Sequence, residues 1–252
     1  MCNSNLNVSV ILPAGGQGSR MGQSINKQYL NLRGQPILAR TWRVFTRLPC
    51  VKEIFLVVAS GEERFCWENV VYPYKDLENT VNIQVLSGGK ERQDSVYEGL
   101  KRVSEESDYT IIHDGARPLI TQQNIENSLI QAKESGASIV AVPVKNTIKS
   151  LQYPLKVKSL SNGDEVPKVK ETLPRNTLIE VQTPQTFKST LIKDAYQWAL
   201  RQNITATDDS SLVEKMGHQV SVVQGSFENI KVTTPEDLFM AEEILKKREE
   251  QI

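Results

Sequence analysis

The 252-residue chain has no excess of charge of either sign, because thirty lysines and arginines balance thirty aspartates and glutamates. A neutral chain has no overall field that would attract nucleic acid or a membrane surface. It also lacks any apolar run close to the about 20 residues that a membrane-spanning helix needs. We therefore expect neither nucleic acid nor a membrane among its partners, and any anionic ligand must be held by charges gathered locally.

Cysteine and targeting segments are equally scarce. The three cysteines, Cys2, Cys50 and Cys66, have no metal-ligand spacing, and their odd number argues against a disulfide framework. Residues 1–7 contain no apolar run and no arginine, which predicts neither a signal peptide nor a transit peptide. These absences favour a reducing compartment, the cytoplasm, or the plastid stroma if the chain is a mature plant-type protein.

Short β-branched runs alternate with longer helical patterns through the first 144 residues. The runs predict strands at residues 8–12, 53–59, 81–86, 109–113 and 137–144. The helical spacing predicts helices at residues 37–47, 62–74, 92–104 and 122–133. Several strands are apolar at consecutive positions, as in a sheet that is covered on both faces. The sequence therefore predicts an α/β fold with a mostly parallel sheet, helices on both faces, and a ligand site beyond the carboxyl ends of the strands.

The regular alternation ends after residue 144. Residues 145–177 are rich in lysine, proline and turn formers, and short alternating pieces at 156–160 and 166–169 predict a hairpin-like arm. Helices follow at 188–201 and 208–215, and a strand at 219–223. Thr233-Thr234-Pro235-Glu236-Asp237 then opens a last helix with a cap, a proline at the first position and acidic residues in the first turn.

The first strand leads into a glycine-rich loop, Pro13-Ala14-Gly15-Gly16-Gln17-Gly18-Ser19-Arg20-Met21-Gly22. Its glycines let backbone N–H groups approach phosphate oxygens, and Arg20 adds a guanidinium that matches them. A tight strand-to-helix turn that binds nothing fits the glycines equally well. The dinucleotide-binding fingerprint fails because Met21 stands where its last glycine belongs, and the P-loop fails because Gly-Lys-Ser/Thr is missing.

Residues 14–22 of this loop, together with Lys27-Gln28-Tyr29-Leu30, resemble the signature of 2-C-methyl-D-erythritol 4-phosphate cytidylyltransferases, and residues 89–96 resemble particularly the cyanobacterial and plastid branch of that family. Further blocks resemble the family in the same order: Gly89-Lys90-Glu91-Arg92-Gln93-Asp94-Ser95-Val96, His113-Asp114-Gly115-Ala116-Arg117-Pro118, Thr147-Ile148-Lys149, Arg175, Gln182-Thr183-Pro184-Gln185, Thr207-Asp208-Asp209 and Asn229-Ile230-Lys231-Val232-Thr233. The resemblance runs from about residue 8 to the end. It implies one Rossmann-like domain of the nucleotide-diphospho-sugar transferase type over residues 1–252, with the arm at 145–177 forming a homodimer.

The resemblance also implies a reaction and the residues that perform it. CMP would pass from CTP to 2-C-methyl-D-erythritol 4-phosphate, giving 4-diphosphocytidyl-2-C-methyl-D-erythritol and pyrophosphate. Arg20 and Lys27 would act on the α-phosphate, and Mg²⁺ would be bound mainly through the CTP phosphates. The nucleotide would be bound by Pro13, Ala14, Gly15, Gly16, Gly18, Gly89, Ser95 and Gly115.

The acceptor substrate would be positioned by a second set of residues: Asp114, Arg117, Thr147, Arg175, Thr183, Thr207 and Lys231. Asp114 is also the candidate for an indirect contact to the metal. Because the nucleophile is already an anionic phosphate oxygen, His113 is not expected to be a base. Each lone cation could instead be a solvated surface charge, and Asp114 with Arg117 a structural ion pair. Asp208 and Asp209 read as a helix cap with acidic first-turn residues.

Other functions also fit the sequence. A ribitol-5-phosphate or other polyol-phosphate cytidylyltransferase has closely similar loop and lysine motifs. A catalytically silent nucleotide-binding module is a second alternative, although it would not need Arg20, Lys27, Arg175 and Lys231 together. The chain departs from the family pattern at Asn26, at Asn146 and in an arm that is longer than usual.

Overall fold

The structure is a computed structural model that describes residues 5–16, 26–76, 80–153 and 167–250. The strands in chain order are β1 (Val8–Ala14), β2 (Asn31–Leu32), β3 (Gln35–Pro36), β4 (Val51–Val58), β5 (Asn82–Ser87), β6 (Tyr109–Ile112), β7 (Ala137–Pro143), β8 (Lys149–Leu151), β9 (Val169–Thr172), β10 (Ile179–Lys188) and β11 (Ser221–Gln224). The helices are α1 (Ile37–Phe45), α2 (Glu63–Cys66), α3 (Arg92–Leu100), α4 (Gln122–Ser135), α5 (Ser189–Arg201), α6 (Ser210–Lys215) and α7 (Pro235–Glu249).

Seven of the strands form one sheet in the order β11-β7-β10-β6-β1-β4-β5. All neighbouring pairs are parallel except the two that β10 makes with β6 and β7. The predicted mostly parallel sheet with helices on both faces is confirmed. The sequence prediction missed β10, which lies between two parallel strands near the middle of the sheet.

The sheet separates two apolar clusters, one on each face. In β1, Val8, Val10 and Leu12 belong to the cluster that also contains buried residues of α1 and α4. Ile11 points the other way, into the cluster built with α3, α5 and α6. Fully burying such a side chain stabilises the fold by about 1.5–3 kcal/mol. The consecutive apolar residues of β1 are therefore explained by a sheet that is buried on both faces.

Two helical predictions differ in detail. Residues 62–74 form α2, then a π-helical turn at Trp67–Val71 and a 3-10 turn at Tyr72–Tyr74, instead of one continuous helix. The last helix begins as predicted, with Thr234 as its cap, proline at its start and two acidic residues in its first turn. None of the described helices has the length and apolar character required to cross a membrane.

The cysteines also differ from expectation. Cys50 is disulfide-bonded, whereas Cys66 is a buried free thiol. Burial raises the pKa of the Cys66 thiol to about 12. An odd number of cysteines means that they cannot all be paired, but it still allows one disulfide bond to form.

Strands β8 and β9 form an antiparallel pair that is separate from the main sheet. This pair lies within the segment 145–177, and the predicted strand piece at 156–160 lies outside the described residues. At the base of the segment, Arg175 Nη1 donates to the carbonyl of Lys145 at 2.8 Å. The Lys145 ammonium lies 3.5 Å from the centre of the Phe227 ring. These contacts join the two chain ends of the arm to each other and to the core.

Candidate active site

A cleft lies where the parallel strands β1, β4 and β6 end. It has a volume of about 250 Å³. Its lining is Pro13, Ala14, Gly15, Gly16, Lys27, Gln28, Gly89, Lys90, Glu91, Arg92, Ser95, Asp114, Ala116 and Lys231. The site was predicted at this edge of the sheet, and the residues that follow β1 and β6 do converge there.

The loop after β1 packs tightly against the neighbouring strand. A Cβ added to Gly15 would lie 3.4 Å from the backbone nitrogen of Ala59, just beyond the end of β4. A Cβ added to Gly16 would lie 3.9 Å from Cε of Lys27, so the lysine stem runs beside the loop. Arg20 and Gly18 lie outside the described residues. The geometry therefore brings Lys27 to the loop, as the sequence led us to expect.

One carboxylate holds the segment that carries Lys27. Glu62 accepts hydrogen bonds from the Asn26 amide, from Tyr29 Oη at 2.8 Å and from Gln28 Nε2 at 3.5 Å. Burial, together with the neighbouring Glu62, raises the pKa of Tyr29, so its hydroxyl stays a donor. Sequence reasoning did not single out Glu62, because no motif links it to a segment 33 to 36 residues earlier.

The opposite wall is the N-terminus of α3 and the loop before it. The Ser95 hydroxyl accepts from the Gly89 N–H at 3.2 Å and donates to the Glu91 carbonyl at 3.2 Å. Glu91 and Asp94 form a reciprocal capping box, which satisfies N–H groups of the first turn. A Cβ on Gly89 would collide with the Asp94 side chain. Ser95 and Gly89, both predicted to bind nucleotide, thus share one wall whose shape depends on glycine.

Asp114 is buried at the floor of the cleft among three cations. Its carboxylate lies 2.8 Å from Lys231 Nζ, 3.1 Å from Arg92 Nε and 3.7 Å from Arg117 Nε. Burial alone would raise the pKa of Asp114, but the charges of Arg92, Lys231 and Arg117 outweigh it and hold the pKa well below its usual range. The carboxylate is therefore ionised at neutral pH, and it orients cations that come from three separate segments.

Arg92 is a site residue that sequence reasoning missed. Besides Asp114, it contacts Asp209 through Nη1 at 3.1 Å and Nη2 at 2.7 Å. Asp209 is fully buried and also accepts from Tyr196 Oη at 2.6 Å. Burial opposes the charged form of Arg92, yet the two carboxylates raise its pKa well above the ordinary value. The only signal in the sequence was the place of Arg92 in a block already assigned to the nucleotide.

The helix-cap prediction for Asp208 and Asp209 is partly wrong. Helix α6 begins at Ser210, no acidic residue lies in its first turn, and Asp209 makes no capping hydrogen bond with its side chain. Asp208 accepts from the Ser211 N–H at 3.3 Å and from Gln185 Nε2 at 2.8 Å. Asp209 is instead the buried partner of a guanidinium 117 residues earlier.

A second cleft of about 340 Å³ adjoins the first. Three residues, Arg92, Asp114 and Lys231, line both clefts. The other lining residues of the second cleft are Arg117, Val181, Gln182, Thr183, Gln185, Thr207 and Asp208. Five of the seven residues that were predicted to position the acceptor line this cleft: Asp114, Arg117, Thr183, Thr207 and Lys231.

His113 supports this region from behind. It is fully buried, with Nε2 3.1 Å from the carbonyl of Arg117 and Nδ1 3.0 Å from Thr183 Oγ1. Burial lowers the pKa of His113 to about 4. The same Thr183 hydroxyl accepts from the Asp114 N–H at 3.0 Å. A neutral, enclosed imidazole fits the predicted packing role and is poorly placed to act as a base.

Arg117 is more enclosed than a freely accessible phosphate-binding arginine. Its side chain is 13% exposed, and Nη1 donates to the carbonyl of Asn229 at 2.7 Å. Burial lowers the pKa of Arg117, and Asp114 opposes that shift. Its position fixes the backbone before α7 and leaves a small guanidinium surface at the second cleft.

Other predicted residues lie away from both clefts or behind them. Thr147 and Arg175 are exposed in the arm and are not among the residues that line either cleft. Gly115 lies behind the first cleft, where its N–H donates to the carbonyl of Pro13 at 3.2 Å. A Cβ at Gly115 would lie 2.9 Å from Leu38 Cδ1 and 3.1 Å from Ala14 Cβ, so a larger residue would displace the Leu38 side chain of α1.

Nearly the whole chain is similar to one family of known proteins. The family model described as 2-C-methyl-D-erythritol 4-phosphate cytidylyltransferase matches residues 8–247. The chain belongs to this family. Among curated cytidylyltransferases of that name, the protein from Alkaliphilus oremlandii is 49% identical over 242 residues, and the protein from Clostridioides difficile is 46% identical over 244. Each alignment covers 96% of both chains.

Solved structures of the family agree with the fold. The 4-diphosphocytidyl-2C-methyl-D-erythritol synthase of Anaerococcus prevotii superposes with a TM-score of 0.79 at 28% identity, covering 97% of this chain and all of that one. The 2-C-methyl-D-erythritol 4-phosphate cytidylyltransferase of Thermus thermophilus gives 0.73 at 27% identity, covering 96% of this chain and 100% of that one. The chain is therefore a cytidylyltransferase with the α/β nucleotidyltransferase fold predicted from its sequence.

The described part of this cytidylyltransferase contains no group of three or more carboxylate, histidine or cysteine side chains that could enclose a metal ion. Mg²⁺ commonly binds through one or two carboxylates, waters and substrate phosphates, so an enclosing set is not required. Asp114 is the carboxylate at the junction of the clefts, and its oxygens already accept from Arg92 and Lys231. This arrangement fits an indirect contact to a phosphate-bound ion better than direct ligation.

Proposed function

We propose that this chain transfers CMP from CTP to 2-C-methyl-D-erythritol 4-phosphate and releases pyrophosphate. The observation that carries the proposal is the junction of the two clefts, which share Asp114, Arg92 and Lys231. Two phosphorylated ligands, one in each cleft, would meet beside the cations Arg92 and Lys231, which Asp114 holds together. The named relatives, at up to 49% identity over nearly their full length, support the choice of substrates.

The reaction needs charge and position more than proton transfer. A phosphate oxygen of the acceptor attacks the α-phosphorus of CTP, a new P–O bond forms, and the bond to the departing pyrophosphate breaks. Because the nucleophile is already anionic, no general base is required. The barrier comes from bringing two polyanions together and from charge that builds at the pentacoordinate phosphorus. Fixed cations in a partly buried cleft lower that barrier without reorganising during the reaction.

The residues take distinct parts in this scheme. Backbone groups of residues 13–16 and the Gly89–Ser95 wall hold the cytidine. Lys27, with Arg20 from the adjoining loop, stabilises the α-phosphate. Lys231 lies between the clefts and holds the acceptor phosphate, while Thr183 and Thr207 line the cleft around the acceptor hydroxyls. Mg²⁺, when bound through the CTP phosphates, neutralises part of their charge, and Asp114 would meet its water shell.

The arm completes the proposed site from a second subunit. Thr147 and Arg175 are exposed in the arm, and the flanking strand carries Ile179 and Val181, each 42% exposed. Exposed apolar side chains of this kind favour association. We propose a homodimer in which Thr147 and Arg175 of one subunit contact the acceptor bound by the other. Arg117, which is mostly buried, would contribute mainly by holding Asp114 and the segment before α7.

Pyrophosphate release tests the proposed reaction. The full chain is assayed with CTP and Mg²⁺ against 2-C-methyl-D-erythritol 4-phosphate and, separately, ribitol 5-phosphate. Release with the first acceptor supports the proposal. Release with ribitol 5-phosphate alone would transfer the assignment to a polyol-phosphate cytidylyltransferase, and no release with either would leave a silent nucleotide-binding module.

Lys27→Ala tests the assigned role within the cleft. Loss of a preorganised donor raises the barrier by about 3–4 kcal/mol, so turnover should fall several-hundredfold while CTP affinity changes much less. Arg20→Ala should behave in the same way. Lys133→Ala is the matched control, because Lys133 is exposed on α4 and lines neither cleft. Wild-type turnover in the Lys27 and Arg20 variants would refute their roles.

Complementation between two inactive variants tests the shared site. In a mixed dimer of Lys27→Ala and Arg175→Ala chains, one site carries both substitutions and the other carries neither. Co-expression should therefore restore activity that each variant lacks alone. If Arg175 acts within its own subunit, both sites of the mixed dimer stay defective and activity does not return.

A further inference from the structure

A third cleft of about 330 Å³ lies between α1, the segment after Arg117, and the end of α7. It shares no lining residue with either cleft of the proposed active site. Four of the residues that line this cleft are arginines: Arg40, Arg43, Arg47 and Arg248. None of the described residues in its lining is acidic. In a chain of zero net charge, such a concentration of guanidinium groups needs an explanation.

Internal pairing neutralises only part of this charge. Arg248 forms an ion pair with Glu228 at 2.9 Å. Arg40 donates to two backbone carbonyls, and Arg43 donates to the neutral Gln35 side chain at 3.2 Å. Arg47 is exposed and has no hydrogen-bond or ion-pair partner among the residues that the structure describes. Three of the four guanidinium groups therefore have no carboxylate of their own.

Arg40 has both positive and negative neighbours. Burial is the main cause that lowers the pKa of Arg40; Glu249 opposes this shift, and the neighbouring Arg33 and Arg43 add to it by smaller amounts. Glu249 is itself paired with Arg33 at 2.7 Å. The attraction of a helix C-terminus for cations accounts for Arg43 and Arg47, but not for Arg40 earlier in α1 or for Arg248 on another helix. An anion bound between these side chains would relieve their mutual repulsion.

The shape and chemistry of the cleft limit the class of ligand. Planar guanidinium groups bind phosphate oxygens through two parallel hydrogen bonds, and several together favour a multivalent anion. The volume is at the lower end of the about 300–1,000 Å³ range of small-molecule sites. Val44, Ile120 and Leu245 add an apolar side to the lining. We propose that this cleft binds a small multivalent phosphoanion, such as a di- or triphosphate group, independently of the proposed reaction.

Arginine footprinting with tripolyphosphate tests the site directly. The full chain is treated with phenylglyoxal, which modifies accessible arginines, and modification at each position is read by mass spectrometry. Tripolyphosphate should protect Arg43 and Arg47 and leave Arg102 and Arg201, which are exposed elsewhere, unprotected. Equal protection of all four would indicate nonspecific screening, and no protection would indicate no site. Either result overturns the proposal.

Calorimetry with matched variants provides a second measurement. Tripolyphosphate should bind to the wild type at two sites, one in this cleft and one in the proposed active site. Arg43→Gln combined with Arg47→Gln should weaken one site about tenfold or more, since charge-assisted hydrogen bonds are lost. Arg102→Gln combined with Arg201→Gln removes the same charge and should leave both sites intact. Unchanged binding in the first variant overturns the proposal, as would tighter binding of a polyglutamate peptide, which would indicate an acidic protein partner instead.

Discussion

The buried imidazole of His113 should give the protein a specific dependence of stability on pH. Its pKa is about 4 in the folded chain because burial disfavours the charged form. In the unfolded chain an ordinary histidine has a pKa of about 6.5. The unfolded state therefore binds a proton more readily than the folded state between these two values. Stability is unaffected well above pH 6.5 and falls as the pH decreases from 6.5 towards 4.

The size of the effect follows from the same two values. The pKa of His113 is lower in the folded chain than in the unfolded chain by about 2.5 units. This difference corresponds to a maximum loss of about 3 kcal/mol in the free energy of unfolding, reached when the imidazole is protonated in the unfolded chain and still neutral in the fold. Between pH 7 and pH 5 the expected loss is about 2 kcal/mol. The depressed pKa of Asp114 acts mainly below this window, because its carboxyl is protonated in the unfolded chain at about pH 4 while it stays ionised in the fold, and this adds a further loss of stability on acidification.

Urea unfolding at a series of pH values between 4.5 and 7.5 measures this dependence. The free energy of unfolding should follow the predicted curve in the wild type. His113→Gln should be less stable overall, because it disturbs the contacts to Thr183 and Arg117, but its curve should be flat across the window. The chain has one other histidine, His218, which is exposed, so His218→Gln is the matched control and should keep the wild-type curve. A His113→Gln curve with the wild-type slope would refute the assignment.

Three further substitutions test other parts of the structure. Asp209→Ala leaves a partly buried guanidinium without its closest carboxylate, so the free energy of unfolding should fall by about 3–5 kcal/mol in denaturant titrations, and a loss below about 1 kcal/mol would contradict the buried pair. Glu62→Ala should lower turnover by releasing the segment that carries Lys27, with KM for CTP changing less than kcat, and Glu62→Gln should recover part of the loss. Equal turnover in all three proteins would show that Glu62 does not position the lysine. Gly99→Ala should lower the thermal midpoint despite the better helix propensity of alanine, because its Cβ would lie 2.7 Å from Ile11 Cγ2. A raised midpoint would mean that this contact relaxes freely.

The sequence was sufficient for those parts of the fold that have local signals. The apolar run of β1 and the cap-proline-acid pattern of α7 each determine their element within a few residues, and both are confirmed. Strand β10 has no such signal, because Gln182, Thr183 and Gln185 are polar and a proline lies among them. All three polar side chains are buried: Gln182 donates a hydrogen bond to the Ser226 carbonyl, and Thr183 and Gln185 accept from the backbone N–H groups of Asp114 and Asp209. Tertiary contacts therefore make this strand possible.

The same limit applies to the candidate site. The motif blocks identified Lys27, Asp114 and Lys231, and the structure brings them to one cleft. No pattern indicated that Arg92 would be held by Asp209, since the two residues are 117 positions apart. Asp209 was interpreted from its neighbours in the chain, where a cap was the simplest explanation. Its actual role depends on a contact that only the folded sheet creates.

Strand β10 has a consequence for how this protein can change during evolution. Its first residues, from Ile179 to Val181, are exposed beside the arm, and its next residues form the floor of the second cleft. A change that moves the base of the arm therefore also moves the floor of the second cleft. Two functions are thus fixed by one short stretch of chain, and a substitution at Ile179, Glu180 or Val181 that suits one of them will usually disturb the other. The junction of the arm with β10 should therefore remain nearly invariant in sequence and length.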